Sequence, residues 1–229
     1  MTKLIISLET KDFKETRKFV REIGGLGTYY KVGLPLFVKE GPPVVKWLKD
    51  QGKQVFLDLK FFDIPTVTIR SLEAGCELGV FMINFHTVLS SKNLDEIAKL
   101  KKCYPKVLFI GVTLLTSFSQ SDLIEEGFGK WGESLEERVV QYSERVRKAG
   151  LDGVVCSAWE VPSIKKVCGK DFITVTPGIR LDSGTPSDQS RVTTVKKACE
   201  LGADYLVIGR PIHEASPKKA LVKKILSML

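Results

Sequence analysis

The chain has 229 residues, of which 43% are hydrophobic and 27% charged, ordinary proportions for a soluble globular protein of one large domain or two small ones. Its formal net charge of +8 does not indicate a nucleic-acid partner, because most Lys and Arg residues are interspersed with acidic and apolar residues and no basic run is interleaved with aromatics. No apolar stretch approaches the roughly 18 residues of a membrane helix, and the amino terminus is too short for a signal peptide, so we expect a cytoplasmic protein without a membrane partner.

Apolar, strand-like runs alternate with amphipathic, helix-like segments along the whole chain. The predicted strands lie near residues 3–8, 28–33, 53–59, 80–85, 106–112, 152–157, 172–176 and 204–208. The predicted helices lie near residues 12–23, 38–50, 66–78, 91–102, 134–149, 159–168, 190–201 and 216–228. Several of these helices end at a glycine, which is typical of a helix C-terminus: Gly24, Gly52, Gly79, Gly150 and Gly202.

This repetition predicts an α/β fold with parallel strands and crossover helices. Eight repeats in about 230 residues fit a (β/α)8 TIM barrel that occupies residues 1–229 as a single domain. The alternative is an open doubly wound sheet, although no G-x-G-x-x-G motif follows the first strand. Two connections, near 113–133 and 177–189, are longer than the rest. Long loops of this kind tend to be functional, and both would emerge at the catalytic face of a barrel.

The five cysteines are widely scattered, and none of them forms a C-x-x-C pair. Their number is odd, which argues against a disulfide framework. We therefore expect reduced, mostly structural thiols and no zinc site.

Two carboxylates and an ammonium group follow the apolar run of residues 55–57. Asp58 and Lys60 are two residues apart, so on a strand their side chains leave the same face, roughly 6–7 Å apart along the chain. Asp63 follows beyond the strand end. Buried charge is costly unless it is paired or used, so the pattern predicts a charged functional cluster at the carboxyl edge of the sheet. The alternative is a salt bridge that only fixes a loop.

Other predicted strands also end in polar residues, and in a barrel these ends converge on one mouth. The residues at the ends of the first, second, fourth and fifth strands are Glu9, Lys31, Asn84, His86, Thr113, Thr116 and Ser117. A histidine at a strand end is more often hydrogen-bonded than catalytic, so His86 is left out of the predicted chemistry.

The ends of the last two strands predict a phosphate site. Arg180 follows the seventh strand and Arg210 the eighth, and the loops after these strands are a recurring phosphate site in barrels. Two guanidinium groups add charge-assisted bonds. Gly209 permits a close backbone approach, and Gln189 adds a neutral donor. A purely structural role for the arginines is the alternative.

Four segments resemble the orotidine 5'-phosphate decarboxylase family, bacterial type. They are FLDLKFFDIP at 56–65, TPGIR at 176–180, DQSR at 188–191 and VIGRP at 207–211. The resemblance spans the chain from the first strand to the last. It implies decarboxylation of orotidine 5'-phosphate to UMP in pyrimidine biosynthesis, by electrostatic and general-acid catalysis without metal or cofactor.

The resemblance also implies roles for individual residues and a homodimer. Lys60 would donate a proton to C6, and Asp58 would lie beside the substrate carboxylate. Lys31, together with Asp63 entering from the neighbouring subunit, would position this network and hold the ribose hydroxyls. The phosphate would be held by Thr116, Arg180, Gln189 and Arg210.

The remaining substrate-binding residues implied by the resemblance are Ser117, at the pyrimidine, with Glu9, Thr66 and Gly209. Glu9 departs from the family pattern, which usually has Asp at the end of the first strand, and it is one methylene longer.

Two other functions remain open. The chain also resembles 3-keto-L-gulonate 6-phosphate decarboxylase and hexulose-phosphate synthase, which share the D-x-K-x-x-D element but use Mg²⁺, for which Glu9 and Asp58 would supply oxygen ligands. The second alternative is a non-catalytic phosphate-binding module. A binder needs no paired carboxylates near an anionic ligand, so the set of Lys31, Asp58, Lys60 and Asp63 favours an enzyme.

Overall fold

Eight parallel strands close into a barrel in a computed structural model that describes residues 1–128, 130, 132–181 and 191–229. The barrel strands are β1 (Lys3–Leu8), β2 (Tyr29–Gly33), β3 (Gln54–Phe61), β4 (Met82–His86), β5 (Leu108–Val112), β6 (Gly153–Val155), β7 (Ile173–Thr176) and β10 (Tyr205–Ile208). Neighbours in the barrel are consecutive strands, and β10 closes it against β1. The barrel prediction is therefore confirmed, and the open sheet is excluded.

Helices lie between the strands and pack their apolar faces on the outside of the barrel. Those before β5 are α1 (Phe13–Ile23), α2 (Leu34–Glu40), α3 (Pro42–Asp50), α4 (Pro65–Glu77) and α5 (Ser91–Cys103). Those after it are α6 (Gln120–Glu125), α7 (Leu135–Lys148), α8 (Val161–Cys168), α9 (Val195–Glu200), α10 (Arg210–Glu214) and α11 (Lys218–Leu226). Helix α7 begins at a capping box, in which the Ser134 and Glu137 side chains each accept a hydrogen bond from the other's backbone N–H.

Three local predictions were wrong. The helix expected at 38–50 is two helices, broken at Gly41, where φ is +62° and two prolines follow. Helix α6 lies within the expected loop at 113–133, and the short α10 follows β10. The loop after β7 begins with β8 (Ile179–Arg180), which pairs in parallel with β9 (Thr193–Thr194) where a helix start was expected.

Every second side chain of a strand points into the barrel, and this alternation explains where its interior becomes polar. Inward-facing apolar side chains fill the lower interior: Ile5, Phe56, Met82, Ile110, Val175, Tyr205 and Val207. Two residues further along the same face of their strands come Ser7, Asp58 and Asn84. The polar residues thus lie at the carboxyl ends of the strands, above a packed core. Among the described residues, no helix has the length and apolar character needed to cross a bilayer.

Candidate active site

A cavity of about 320 Å³ opens at the carboxyl ends of the strands. It receives side chains from both halves of the barrel. The predicted site residues that line it are Glu9, Lys31, Asp58, Lys60, Thr116, Ser117, Arg180, Gly209 and Arg210. The sequence prediction that these strand ends converge is therefore confirmed for this set.

Three of these side chains form a row of alternating charge. The Asp58 carboxylate lies between two ammonium groups, with Lys31 Nζ 3.0 Å from Oδ2 and Lys60 Nζ 2.7 Å from Oδ1. Asn84 Nδ2 also donates to Asp58 Oδ1, at 2.7 Å. Asp58 is only 7% exposed, and a buried carboxylate is tolerated where cations and donors satisfy its oxygens.

Lys60 reaches Asp58 from an irregular backbone. Its φ is +52°, a left-handed value that is uncommon for a non-glycine residue, and the register between β3 and β4 shifts between Leu57 and Phe61. Asn84 Oδ1 accepts a hydrogen bond of 2.8 Å from the Lys60 backbone N–H. The regular pleat expected from the sequence is thus replaced by a bulge, which re-aims the lysine side chain.

Burial and charge act in opposite directions on Asp58. Burial would raise the pKa of its carboxyl, but Lys31 and Lys60, with hydrogen bonds from Lys60 and Asn84, outweigh that effect and lower the pKa to about 2. At the other end of the row, burial first and the Lys60 charge second lower the pKa of His86. At neutral pH the lowered pKa values keep the Asp58 carboxyl ionised and favour the uncharged form of the His86 imidazole.

The lowered pKa links Asp58 to stability. A carboxyl whose pKa is 3.8 unfolded and about 2 folded stabilises the protein above pH 4 by on the order of 2 kcal/mol, and this contribution is lost as the pH falls through 2. We expect about half of it to be gone at pH 3. Urea unfolding of wild type and Asp58→Asn at pH 6 and pH 3 measures this contribution. The variant should have the lower free energy of unfolding at pH 6, and the difference between the two proteins should be smaller at pH 3.

Exposed Asp95 provides the control for that experiment, and Asp95→Asn should keep the wild-type dependence on pH. If Asp58→Asn loses as much stability between the two pH values as wild type, the stabilising role of the ionised Asp58 is refuted.

The two arginines and two hydroxyl residues line another part of the same cavity. Arg180 is buried on β8, and Arg210 begins α10 directly after Gly209. Thr116 is buried and Ser117 exposed in the loop after β5. Guanidinium and hydroxyl donors beside a cavity suit an anion with several oxygens, such as a phosphate.

Glu9 lies against the backbone at the end of β10. A Cβ added at Gly209 would collide with the Glu9 carboxylate and with Ser7. Only glycine fits at this position while the Glu9 side chain keeps its place, so the two residues form one corner of the cavity.

Two predicted site residues, Asp63 and Thr66, do not line this cavity. Asp63 and Thr66 are exposed outside it, between β3 and the first turn of α4. The Asp63 carboxylate accepts a hydrogen bond of 2.6 Å from Ile64 N–H, while Thr68 Oγ1 bonds both the N–H and the C=O of Asp63. Gln189 lies outside the described residues.

Asn84 and the pair Glu160–Arg191 have contacts that the sequence did not reveal. Arg191 forms an ion pair with the buried Glu160 and donates to the carbonyls of Leu114 and Leu115, at 3.1 and 2.9 Å. This ion pair joins the loops that follow β5 and β6 to the segment before β9. The sequence feature that points to Asn84 is its place at a strand end beside the charged motif. No feature of the sequence points to the ion pair of Glu160.

All five cysteines are free thiols. Within the described ranges, no group of three or more His, Cys, Asp or Glu side chains is placed to hold a metal ion.

The chain is similar to known proteins over nearly its full length. Residues 2–225 match the model of the orotidine 5'-phosphate decarboxylase / HUMPS family. An orotidine 5'-phosphate decarboxylase of Carboxydothermus hydrogenoformans is 43% identical, over 98% of this chain and 94% of the relative. One from Bacillus cereus is 41% identical, over 93% and 90%.

A solved structure gives the same result. The orotidine 5'-phosphate decarboxylase of Lactobacillus acidophilus superposes with a TM-score of 0.86 at 29% identity, covering 100% of this chain and 99% of that one. The sequence relatives, the matched family model and the shared barrel agree: the chain belongs to the orotidine 5'-phosphate decarboxylase / HUMPS family.

Proposed function

We propose that residues 1–229 form a single catalytic domain that converts orotidine 5'-phosphate to UMP and carbon dioxide in pyrimidine biosynthesis, without metal or cofactor. The observation that carries the proposal is the row Lys31–Asp58–Lys60 in the same cavity as Arg180 and Arg210. The substrate has an anion at each end of such a site, a carboxylate on the pyrimidine and a phosphate on the ribose. The name shared by the relatives described above supports the same substrate.

The chemical step leaves an electron pair on carbon. The bond between C6 and the carboxylate breaks, carbon dioxide departs neutral, and the electron pair stays on C6. Lys60 is proposed to stabilise that charge and then to donate a proton to C6, becoming a neutral amine that regains its proton from solvent. The reduction in barrier is on the order of 20 kcal/mol, more than one contact supplies.

Two further contributions come from the rest of the cavity. Asp58, held ionised by Lys31 and Lys60, would repel the substrate carboxylate in the ground state but not neutral carbon dioxide. The arginines would bind the phosphate far from C6, and this binding energy would hold the reacting carboxylate against the charged row. A positive rim would also attract a phosphate dianion.

The contacts of Asp58 favour this function over the Mg²⁺-dependent alternative. Both carboxylate oxygens are already bonded to ammonium groups, and Oδ1 accepts from Asn84 as well. Coordination of Mg²⁺ by Asp58 would have to displace these donors. A non-catalytic nucleotide sensor would gain nothing from a carboxylate placed where it repels an anionic ligand.

We also propose that the active site is completed in a homodimer by Asp63 and Thr66 of the neighbouring subunit. Neither residue lines the cavity of its own chain. Exposed apolar side chains lie beside them and on the helix after the adjacent strand: Leu34, Val38, Phe62, Ile64 and Val67. Large apolar side chains exposed together are typical of an interaction surface.

Complementation between two inactive variants tests the shared site. Co-expressed Lys60→Ala and Asp63→Ala chains should form mixed dimers in which one site carries both substitutions and the other neither. Random pairing then predicts recovery of roughly a quarter of the wild-type activity. Co-expressed Lys60→Ala and Asp58→Ala chains are the control, since both residues belong to one chain's cavity and no intact site can form. Absence of recovery in the first mixture would contradict the proposal.

The loss of the orotate chromophore tests the function itself. Ultraviolet absorbance is followed after orotidine 5'-phosphate is added to the purified protein, with and without EDTA. We expect equal rates in the two samples. Loss of activity after exhaustive chelation would favour the Mg²⁺-dependent alternative, and binding of UMP without any turnover would favour the sensor.

A further inference from the structure

Asn84 is a fully buried amide on β4 whose polar atoms are both used toward β3. Its exposed fraction is 0%. Nδ2 donates to Asp58 Oδ1 at 2.7 Å, and Oδ1 accepts from the Lys60 backbone N–H at 2.8 Å. Its register partner on β5 is the apolar Ile110. A buried amide is costly unless bonded, and these two bonds commit the side chain to the charged row.

These two bonds, together with the ion pair between Lys60 and Asp58, form a closed ring of contacts that includes the Lys60 side chain. Asp58 Oδ1 receives both the Asn84 amide and the Lys60 ammonium group. The same asparagine holds the backbone of Lys60, whose φ of +52° is unfavourable for a residue with a Cβ. A left-handed lysine persists where its surroundings over-determine it, and among the described contacts Asn84 is the side chain that bonds its N–H.

We propose that Asn84 is a positioning residue for decarboxylation, whose amide fixes the Lys60 backbone and the Asp58 carboxylate together so that the Lys60 ammonium group is aimed into the cavity. The proposal rests on the proposed function, because it gives Lys60 the role of proton donor. An amide is well suited to this position, since it offers an N–H donor group and a C=O acceptor at once.

The Asn84→Asp substitution separates positioning from mere packing. The titratable groups near this position are Asp58 and Lys60 on β3, Lys31 on β2 and His86 on β4. When the introduced carboxyl is ionised, it keeps the acceptor for Lys60 N–H, but it loses the donor and repels Asp58. When it is protonated, it restores the donor as an O–H. The rate of Asn84→Asp relative to wild type should therefore rise as the pH falls from 8 to 5.

The kinetic experiment compares Asn84→Ala, Asn84→Asp and Asn93→Ala. Asn93 is also buried, but it lies in the first turn of α5 and bonds Ser90, so its variant controls for loss of a buried amide. We expect kcat of Asn84→Ala to fall about 100-fold, the effect of a misplacement near 1 Å, with UMP affinity within a few-fold of wild type. Asn93→Ala should keep kcat. A kcat for Asn84→Ala near wild type, or an Asn84→Asp rate parallel to wild type at all pH values, would overturn the proposal.

A carbon NMR titration of the Asp58 carboxyl does not depend on turnover. Without the amide donor the Asp58 carboxylate loses a bond that favours its ionised form, so the midpoint of its titration in Asn84→Ala should move upward. An unchanged midpoint would refute the inference whatever the activity. Failure of wild type to act on orotidine 5'-phosphate would instead refute the proposed function, and the two failures are thereby distinguished.

Discussion

Lys60→Ala should decarboxylate orotidine 5'-phosphate about 10⁵-fold more slowly than wild type. General-acid catalysis contributes about 10²–10⁴-fold and a preorganised charge about 10²–10³-fold, and Lys60 is proposed to supply both. The substitution also leaves Asp58 with one ammonium neighbour, Lys31, in place of two. Turnover is measured with enzyme in excess over substrate, because the residual rate is expected to be too slow for steady-state assay.

Binding of UMP separates loss of chemistry from loss of folding. Lys60→Ala should still bind UMP measurably, since the phosphate donors are unchanged. Lys99→Ala is the matched control: Lys99 is an exposed lysine on α5 paired with Glu96, and its removal should leave turnover unchanged. A Lys60→Ala rate within about tenfold of wild type would eliminate Lys60 as the proton donor.

Arg210→Ala should weaken action on the phosphorylated substrate and spare the phosphate-free nucleoside. Hydrogen bonds to charged groups contribute about 1.5–3 kcal/mol each, so loss of a guanidinium contact to the phosphate should lower kcat/KM for orotidine 5'-phosphate about 100-fold. The same variant should decarboxylate orotidine at nearly the wild-type rate, because no phosphate is present to be held.

The comparison is made within one variant, with both substrates measured at the same pH and ionic strength. Arg147→Ala is the control, as Arg147 lies at the end of α7 in an exposed pair with Asp171, and it should affect neither substrate. If Arg210→Ala lowers kcat/KM equally for orotidine 5'-phosphate and orotidine, the proposal that Arg210 binds the phosphate is refuted.

The barrel was predictable because its signal is repeated. Each strand is an apolar run followed by an amphipathic helix, and this alternation indicates parallel strands without knowledge of any contact. Where one residue decides the local structure, the prediction was less accurate. Helix α2 ends before Gly41 and α3 begins at Pro42. The hydrophobic periodicity averaged over residues 38–50 does not register either residue, so it predicts one continuous helix.

Convergence at the mouth was also predictable, because the carboxyl ends of barrel strands meet there. The two-residue spacing correctly predicted that the Asp58 and Lys60 side chains lie together. The prediction of a regular strand at Lys60 was wrong. The left-handed φ of Lys60 is accompanied by a hydrogen bond from its backbone N–H to Asn84, a residue 24 positions away in the chain. A bond of this kind has no sequence pattern of its own. The roles of Asp63 and Thr66 depend on a second copy of the chain, and they stay predictions.

The ion pair between Glu160 and Arg191 constrains how this enzyme can evolve. Glu160 is buried and Arg191 half-buried, and removal of the arginine would leave the buried Glu160 charge unpaired, at a cost of up to about 3–5 kcal/mol. That cost is a large share of a typical stability of about 5–15 kcal/mol. The pair joins loops that follow different strands of the barrel. A substitution of Glu160 or Arg191 should therefore be tolerated mainly when its partner has already been replaced. We therefore expect strong epistasis between positions 160 and 191, so that the loops joined by this pair diverge together and not one by one.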